Sequence, residues 1–318
     1  MAYEQPALFD PDAIAAQPKA PLTTESAPLT ASSSVTAALA PFEQHMIQRG
    51  FTQHTINAFL GDLKLFVRRW GKRTSLGALT THDLNDLLRW LDQERGVPCS
   101  PKSYARRVTT LKVFFAWLKE AQVLPADLSE TVVQVPAASP LPLILYESQI
   151  EDVLAITRGL MSAEKPDARP HLLVTLVLHT GIKKGECMAI EFSHLDLSDP
   201  KAPVLFVRYE DPRNRLKERR LRLPEEWPAA LAAYRAQYTL KERLFPCTPR
   251  NLEYVLRDVA QLANLPNGLS FEMLRWTCAV RDFAAGMDED HLRRKLGLSP
   301  ISWRDTLEKV RKLAEPPL

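Results

Sequence analysis

An arginine interrupts an apolar stretch late in the sequence, in "SFEMLRWTCAV" (residues 270–280). This residue, Arg275, has Glu272 three positions before it and Trp276 directly after it. A buried ion without a partner is costly, so Arg275 needs an anion close to its guanidinium group. Two sources are open: an anion that the protein binds, and the carboxylate of Glu272.

Basic residues concentrate in two further parts of the chain, although the net charge of the whole is only +3. Residues 41–120 contain thirteen Lys or Arg and seven Asp or Glu, and residues 208–222 contain seven and three. Local basic surface of this kind indicates a polyanionic partner. A solvated surface whose charge is balanced elsewhere is the alternative.

The composition is that of a globular protein without a predicted metal or cofactor. The length of 318 residues suits two domains, and no apolar run approaches the roughly 20 residues of a membrane span. The first residues do not have the pattern of a secretory signal, so we expect a cytoplasmic protein. Widely spaced cysteines without a CxxC pair predict neither a zinc site nor a disulfide scaffold. These are Cys99, Cys187, Cys247 and Cys278.

The first half of the chain divides into an arm, a helical domain and a linker. Residues 1–37 are rich in Ala, Pro, Ser and Thr and predict a flexible arm. Residues 38–125 carry apolar side chains at helical spacing, with glycines that end helices between the runs, and predict a compact four-helix domain. Residues 126–144 contain three prolines and predict an extended linker.

Residues 145–318 predict a second domain of helices with a small strand pair. Helical patterns cover 147–160, 171–180, 186–192, 225–238, 249–264, 272–285 and 289–296. Between them, "PVLFVRYE" and "RRLRLP" alternate apolar and other residues as two short strands would, and "DPRNRLKE" supplies their turn.

Several segments, in order, resemble the tyrosine recombinases, the phage-integrase family, over roughly residues 38–312. In the first domain the resemblance rests on "FTQHTINAFLGDLKLFVRRWG" and "SPKSYARRVTTLKVFFAWLKEAQVL". In the second it rests on "LPLILYESQIEDVL" and "LHTGIKKGECMAIEFSHLDL". It implies a mainly α fold with a small β-sheet. An N-terminal four-helix, SAM-like core-binding domain would precede a C-terminal α+β domain of the recombinase catalytic type.

The resemblance also implies a chemistry. Members of the family exchange DNA strands without metal or nucleotide, through a tyrosine that forms a 3′-phosphotyrosyl bond. Two arginines, a lysine and two histidines, or a tryptophan in the last place, surround the phosphate. Guanidinium groups suit this task because they meet the non-bridging oxygens with two parallel hydrogen bonds.

At most positions of the family's phosphate-binding pocket, this chain has a different residue. Lys183 takes the place of the first arginine and keeps the charge without the fork of donors. Asn214 takes the place of the lysine, and Arg213, Arg215 or Lys217 would have to replace it. The second arginine is Arg275, with Glu272 and Trp276 at the two histidine places beside it.

Two leucines complete the altered pocket. Leu298 takes the place of a third histidine, and Leu307 the place of the tyrosine nucleophile. A leucine has no group that can form an ester with phosphate. The helix around Leu307 has two open alternatives, packing within its own domain and docking on a neighbouring copy. Tyr209 is the tyrosine nearest the hairpin, and we do not expect it to replace the nucleophile.

Loss of the nucleophile leaves a binding surface in place. We expect contacts to DNA phosphates, which supply affinity rather than sequence choice, from one set of basic residues. The set is Arg68, Arg69, Lys102, Arg106, Arg107, Lys183, Lys217 and Arg275.

The sequence therefore predicts a nucleoid-associated protein that binds duplex DNA and does not cleave it. It would act in recombination or integration, or regulate a mobile element, with a second copy or an active paralogue as protein partner. Two alternatives stay open. One is an active recombinase with another nucleophile, or with one supplied in trans. The other is a protein-interaction scaffold that no longer binds DNA.

Overall fold

A computed structural model of the chain describes residues 28–97, 99–132 and 140–315. Contacts between Cα atoms divide the chain into unit 1 (Met1–Ser139) and unit 2 (Pro140–Leu318). The first 27 residues of the predicted arm lie outside the described residues. Within the described ranges, every helix is too short or too polar to cross a bilayer.

Unit 1 is helical, as predicted. Its α-helices are α1 (Val35–Gln48), α2 (Gln53–Trp70), α3 (Thr81–Arg89) and α4 (Pro101–Glu120). Each begins at a hydroxyl residue whose side chain accepts a hydrogen bond from a backbone N–H of the first turn, which satisfies one otherwise unpaired donor. These residues are Ser34, Thr52, Thr80 and Ser100.

Two boundaries of unit 1 differ from the prediction. Helix α1 begins at Val35, inside the predicted arm, because Ser34 caps it and Val35 is buried in the core. The start of the predicted linker is also packed, since Ser129 and Val132 are buried. Apolar contact outweighs the local signals there. Residues 133–139 of the predicted linker lie outside the described residues.

Unit 2 contains the predicted strands and helices, except that the helix predicted at 186–192 covers Lys184–Met188 and ends four residues earlier. Its helices are α5 (Glu147–Met161), α6 (Arg169–Thr180), α7 (Lys184–Met188), α8 (Trp227–Gln237), α9 (Pro249–Leu262), α10 (Phe271–Ala284), α11 (Glu289–Lys295) and α12 (Pro300–Ala314). Helix α6 is buried on nearly all sides, as an apolar helix at the centre of a domain should be.

The sheet of unit 2 is antiparallel, in the order β1 (Leu195–Asp196), β2 (Val204–Val207) and β3 (Arg219–Arg222). Leu205 pairs with Leu221, and both are buried. Because side chains alternate along a strand, Arg220 and Arg222 point to the opposite, exposed face. The predicted strand pair is therefore confirmed, and β1 adds a strand that the sequence did not indicate.

The C-terminal helix α12 packs within unit 2 in this single chain, which is the first of the two alternatives for the segment around Leu307. Trp303 and Val310 of α12 are buried with Ala279 of α10, and Leu307 is partly buried against them. Burial of a Val or Trp side chain is worth about 1.5–3 kcal/mol or more, so this contact fixes the position of α12.

Candidate functional site

The end of α11 is a turn whose backbone oxygens face several cations. Gly297 has a positive φ of 60°, and the N–H groups of Gly297 and Leu298 close the helix by donating to the carbonyls of Arg294 and Arg293. This is a Schellman ending, which leaves the next carbonyl oxygens unpaired. We call residues 295–298 the carbonyl turn.

Cationic side chains from different elements supply the missing donors. Arg219 Nε donates to the carbonyl of Lys295 at 2.7 Å, and Arg275 Nη2 to the carbonyl of Leu296 at 2.6 Å. Lys183 Nζ donates to the carbonyl of Gly297 at 2.9 Å.

The last oxygen of the carbonyl turn has a cationic donor too, because Arg293 Nη1 donates to the carbonyl of Leu298 at 3.2 Å. Positive charge is favourable here, since a helix C-terminus carries partial negative charge. The turn thus holds, in one place, the two cations that the resemblance assigns to the phosphate.

A buried ion pair stands behind this cluster. Arg219 donates from both terminal nitrogens to the Glu186 carboxylate, at 3.1 and 2.8 Å, and the side chains are only 8% and 3% exposed. The backbone N–H of Lys183 and the hydroxyl of Tyr209 also donate to Glu186. Burial alone would raise the pKa of Glu186, but the hydrogen bonds from Arg219 and Tyr209 outweigh it, and the pKa is lowered.

Lys183 caps the start of α7 and points its ammonium group at the carbonyl turn. Its pKa is lowered to about 8, chiefly by burial; Glu186 opposes this shift, and the positive charges of Arg275 and Arg219 contribute to it. An ammonium group held beside two guanidinium groups needs an anionic environment, which Glu186 and the carbonyl turn supply together.

Arg275 and Glu272 line one cavity of about 610 Å³ in unit 2, together with Lys183 and Leu298. Arg275 also donates to the carbonyl of Gly181, and burial lowers its pKa. Glu272 is exposed, so it does not have the position of a buried counter-ion. The carboxylate that opposes the lowered pKa of Arg275 is Glu186, which sequence reasoning did not assign to this role.

Comparison with known proteins indicates the family. Residues 39–122 match the phage integrase N-terminal SAM-like domain. Tyrosine recombinase XerC of Pediococcus pentosaceus is 23% identical over 288 residues, which cover 85% of this chain and 92% of that protein. These matches support this chain's membership of the tyrosine recombinase family.

Two further comparisons define what the family likeness covers. Tyrosine recombinase XerC of Mycobacterium sp. (strain KMS) is 29% identical over 162 residues, 49% of this chain and 53% of that protein, so the chain spans about half the length of such relatives. The lambda integrase dimer bound to a COC′ core site is 14% identical, with a TM-score of 0.69 over 90% of this chain and 80% of that one. This likeness confirms the recombinase fold.

The remaining predicted pocket residues do not add donors to the carbonyl turn. One lies on the hairpin turn, and the others lie in an apolar cluster. Asn214 lies on the 3₁₀ turn Pro212–Lys217, where its side-chain oxygen accepts a hydrogen bond from Lys217 Nζ at 2.8 Å. Trp276 and Leu298 are partly buried with Leu307 in the cluster under α12. Trp276 also lines the cavity, so it combines the packing role that we expected with a place in the pocket wall.

Two of the predicted phosphate contacts in unit 1 interact with buried groups of the protein. Arg107 is only 7% exposed and donates to Cys99 Sγ at 2.7 Å, so its assignment to DNA is wrong. Arg106 donates to both oxygens of the buried Asp62 at 2.9 and 2.8 Å. Removal of either arginine would leave Asp62 with less compensation in the core.

The other predicted contacts of unit 1 remain at its surface. Arg68 and Lys102 are exposed, as are Lys72 and Arg73 after α2. Arg69 lies over the rings of Trp70 and Trp90, with its guanidinium carbon 5.0 and 5.9 Å from their centroids. Its cationic group is therefore held in place by aromatic faces.

Sequence patterns contained signals for the residues that our reasoning missed. Asp62 lies three residues after Phe59 and four before Phe66, on the apolar face of α2, so a buried partner was to be expected. Arg219 lies two residues before the buried Leu221 on β3, so the two side chains share the inward face of the strand. Tyr209 had no comparable signal. Its partner, Glu186, comes from a helix 23 residues away in sequence.

Proposed function

We propose that this protein binds duplex DNA as a member of the tyrosine recombinase family and does not cleave it. It would act in DNA recombination or in the control of a mobile element, together with a second copy or an active paralogue. One observation carries this proposal: Lys183 and Arg275, the cations at the phosphate-binding places, donate to consecutive carbonyls of the carbonyl turn.

The first support is electrostatic. A transition-state phosphate needs donors that point to where its charge develops. Here one donor of Lys183 and two of Arg275 bond to backbone oxygens. The carboxylates of Glu253 and Glu272 line the same cavity as these cations. At about 4 Å, two like charges repel by about 4 kcal/mol for an effective dielectric constant near 20. The cavity is therefore poorly suited to a dianionic phosphorane.

The second support is the absence of a suitable nucleophile at the expected place. Leu307 is partly buried in an apolar cluster with Trp303 and Val310. The Tyr209 hydroxyl, in contrast, donates to Glu186, and burial raises its pKa to about 12. A phenol that is both hydrogen-bonded to a carboxylate and hard to ionise is a poor nucleophile at neutral pH.

Duplex binding is supported by the exposed basic residues of unit 1. Arg68, Lys72, Arg73 and Lys102 are exposed, and the lambda integrase dimer of the same fold is bound to a core site. If about six phosphates are contacted, log affinity should fall against log salt with a slope near −5.

The proposal is tested by two measurements on the wild-type chain. Fluorescence anisotropy with a labelled random 30-base-pair duplex, at salt concentrations from about 50 to about 200 mM, should show the steep loss of affinity expected for phosphate contacts. A nicked suicide duplex, which traps covalent intermediates, should yield no protein–DNA adduct on a denaturing gel. An adduct would refute the absence of cleavage, and salt-independent or undetectable binding would refute the DNA partner.

A second candidate function, an active recombinase with another nucleophile, has one specific observation in its favour. The Thr306 side chain lines the cavity with Arg275 and Lys183. Its hydroxyl oxygen would form the bond to phosphorus and give its proton to the carboxylate of Glu272 in the same lining, while the bond to the 5′ oxygen breaks and that oxygen takes a proton from Lys183. In the structure this hydroxyl donates to the carbonyl of Ser302 at 2.8 Å. If the suicide duplex does yield an adduct, Thr306→Val should abolish it, and Ser302→Ala, on the same helix, should not.

A further inference from the structure

A second groove in unit 2 lies between β3 and the region of α11, and most of the residues that line it are basic. Its volume is about 350 Å³. Its lining consists of Arg219, Arg220, Leu221, Arg222, Met287, His291, Arg294 and Lys295. Five of these eight residues are Arg or Lys, one is His, and none is acidic. We call this the β3–α11 groove.

The cations of this groove differ in how far they are neutralised. Arg219 is paired with Glu186, Lys295 with Asp282 at 2.6 Å, and Arg294 with Asp290 at 2.7 Å. Arg220 and Arg222, in contrast, are exposed. The Arg220 guanidinium lies over the Phe206 ring, 5.4 Å from its centroid, and Arg222 donates to the carbonyl of Lys201 at 3.3 Å.

Position on the sheet fixes the direction of these two arginines. Arg220 and Arg222 are two residues apart on β3 and pair with Phe206 and Val204 of β2. Residues two apart on a strand share a face and are separated by about 6.6 Å. Two guanidinium groups at that spacing can each meet a different phosphate of one nucleic-acid strand.

The β3–α11 groove and the cavity of Arg275 therefore have linings of different charge. The cavity of Arg275 includes Glu253 and Glu272 in its lining, whereas the β3–α11 groove includes no carboxylate in its lining. A cleft lined by charges of one sign concentrates the field and attracts counter-ions. The favourable place for an anion on unit 2 is thus the groove rather than the cavity.

We propose that the β3–α11 groove binds the phosphodiester backbone of nucleic acid, with Arg220 and Arg222 as its principal contacts. This inference rests on the proposed DNA-binding function and adds a site to it. A linear polyanion fits better than a compact one, because positive charge continues along the chain from the groove to the hairpin turn. Residues 208–222 hold seven Lys or Arg and three Asp or Glu. The aromatic support under Arg220 holds its guanidinium in place and lowers the entropy lost on binding.

The test uses the full chain and the labelled random duplex. The variant Arg220→Gln with Arg222→Gln should reduce the slope of log affinity against log salt by about 2, and affinity at about 100 mM salt at least about tenfold. Arg220→Lys with Arg222→Lys keeps both charges and should keep the slope. The matched control is Arg235→Gln with Arg243→Gln, two exposed arginines of unit 2 outside the groove, which should bind as wild type does.

The outcomes separate this inference from the proposed function. If wild type binds DNA and the Gln variant keeps the wild-type slope, the groove assignment is refuted, whereas the proposed DNA binding is supported. If wild type does not bind duplex DNA, both the groove assignment and the proposed DNA binding are refuted. A labelled poly-glutamate peptide that binds wild type and loses affinity in the Gln variant, with the DNA slope unchanged, would assign the groove to an acidic polypeptide instead. Equal thermal unfolding of the variants excludes a loss of fold as the cause.

Discussion

Lys183 Nζ lies 2.9 Å from the carbonyl oxygen of Gly297, so the cation at the first arginine place of the family is bonded to the protein's own backbone. Arg275 and Arg219 repeat this relationship with the two preceding carbonyls. A helix C-terminus is a weak anion, with about half an elementary negative charge. In this chain it accepts hydrogen bonds from Lys183, Arg275 and Arg219, two of which are the cations that the resemblance assigns to the phosphate.

Stability should depend on pH through Lys183. Its folded-state pKa is about 8, below the ordinary 10.5, because burial disfavours the charged form. Between these values the unfolded chain binds more protons than the folded one, so stability rises with pH. We expect the free energy of unfolding of wild type, relative to Lys183→Met, to increase by on the order of 2 kcal/mol from pH 7 to pH 10.5, allowing for partial exposure.

Urea unfolding at pH 7, 9 and 10.5 measures this difference. Lys184→Met is the matched control, because Lys184 is the exposed neighbour and pairs with Glu253 at the surface. Its difference from wild type should stay constant across the series. A Lys183→Met difference that is also constant, or that falls as pH rises, would contradict the assigned environment of Lys183.

Glu186→Gln should be among the most destabilising single changes in unit 2. The substitution leaves Arg219 buried without its carboxylate, and the breaking of such a pair costs about 3–5 kcal/mol. Glu253→Gln, at an exposed pair, should cost less than about 1 kcal/mol. Both values come from urea unfolding at pH 7.

Acid titration gives a second readout for Glu186. Its folded-state pKa is lowered, so its contribution is complete above the ordinary value near 4.5 and is lost as pH falls through the folded value. Wild type should therefore lose stability on acidification more steeply than Glu186→Gln. An equal decrease in the free energy of unfolding on acidification in the two proteins would argue against a strong Glu186–Arg219 pair.

The sequence predicted elements better than it predicted the partners of charges. Helix and strand positions followed from apolar spacing, which reports burial directly, and "RRLRLP" was correctly read as a strand. The carbonyl turn was not predictable in this way. It depends on Arg219, Arg275 and Lys183 converging from three elements, and spacing along the chain contains no information about that convergence. Similarly, Arg107 belongs to a basic run in the sequence but is turned inward by its position on α4.

Two kinds of arginine in unit 1 should respond differently to substitution. Arg107→Ala removes a buried cation 3.7 Å from Asp62 and should lower the free energy of unfolding by about 3 kcal/mol. Arg68→Ala with Lys72→Ala alters exposed residues and should change it by less than about 0.5 kcal/mol. The same double variant should reduce the salt slope of duplex binding by about 2. Urea unfolding and anisotropy on the same preparations check both effects. If the variant Arg68→Ala with Lys72→Ala is destabilised and keeps the wild-type salt slope, these two residues have a structural role and do not contact DNA.

Restoring the hydroxyl alone should not restore cleavage. In Leu307→Tyr the phenol would replace a partly buried leucine in the cluster of Trp303 and Val310. Lys183 would still lack the fork of a guanidinium group, and Asn214 would still be unable to donate a proton as the family's lysine does. We expect no covalent adduct on the nicked suicide duplex, on a denaturing gel that resolves one adduct in about a thousand molecules. Leu307→Phe, of similar size without the hydroxyl, controls for repacking. An adduct with Leu307→Tyr and none with Leu307→Phe would mean that the cations around the carbonyl turn remain able to bind and activate a phosphate.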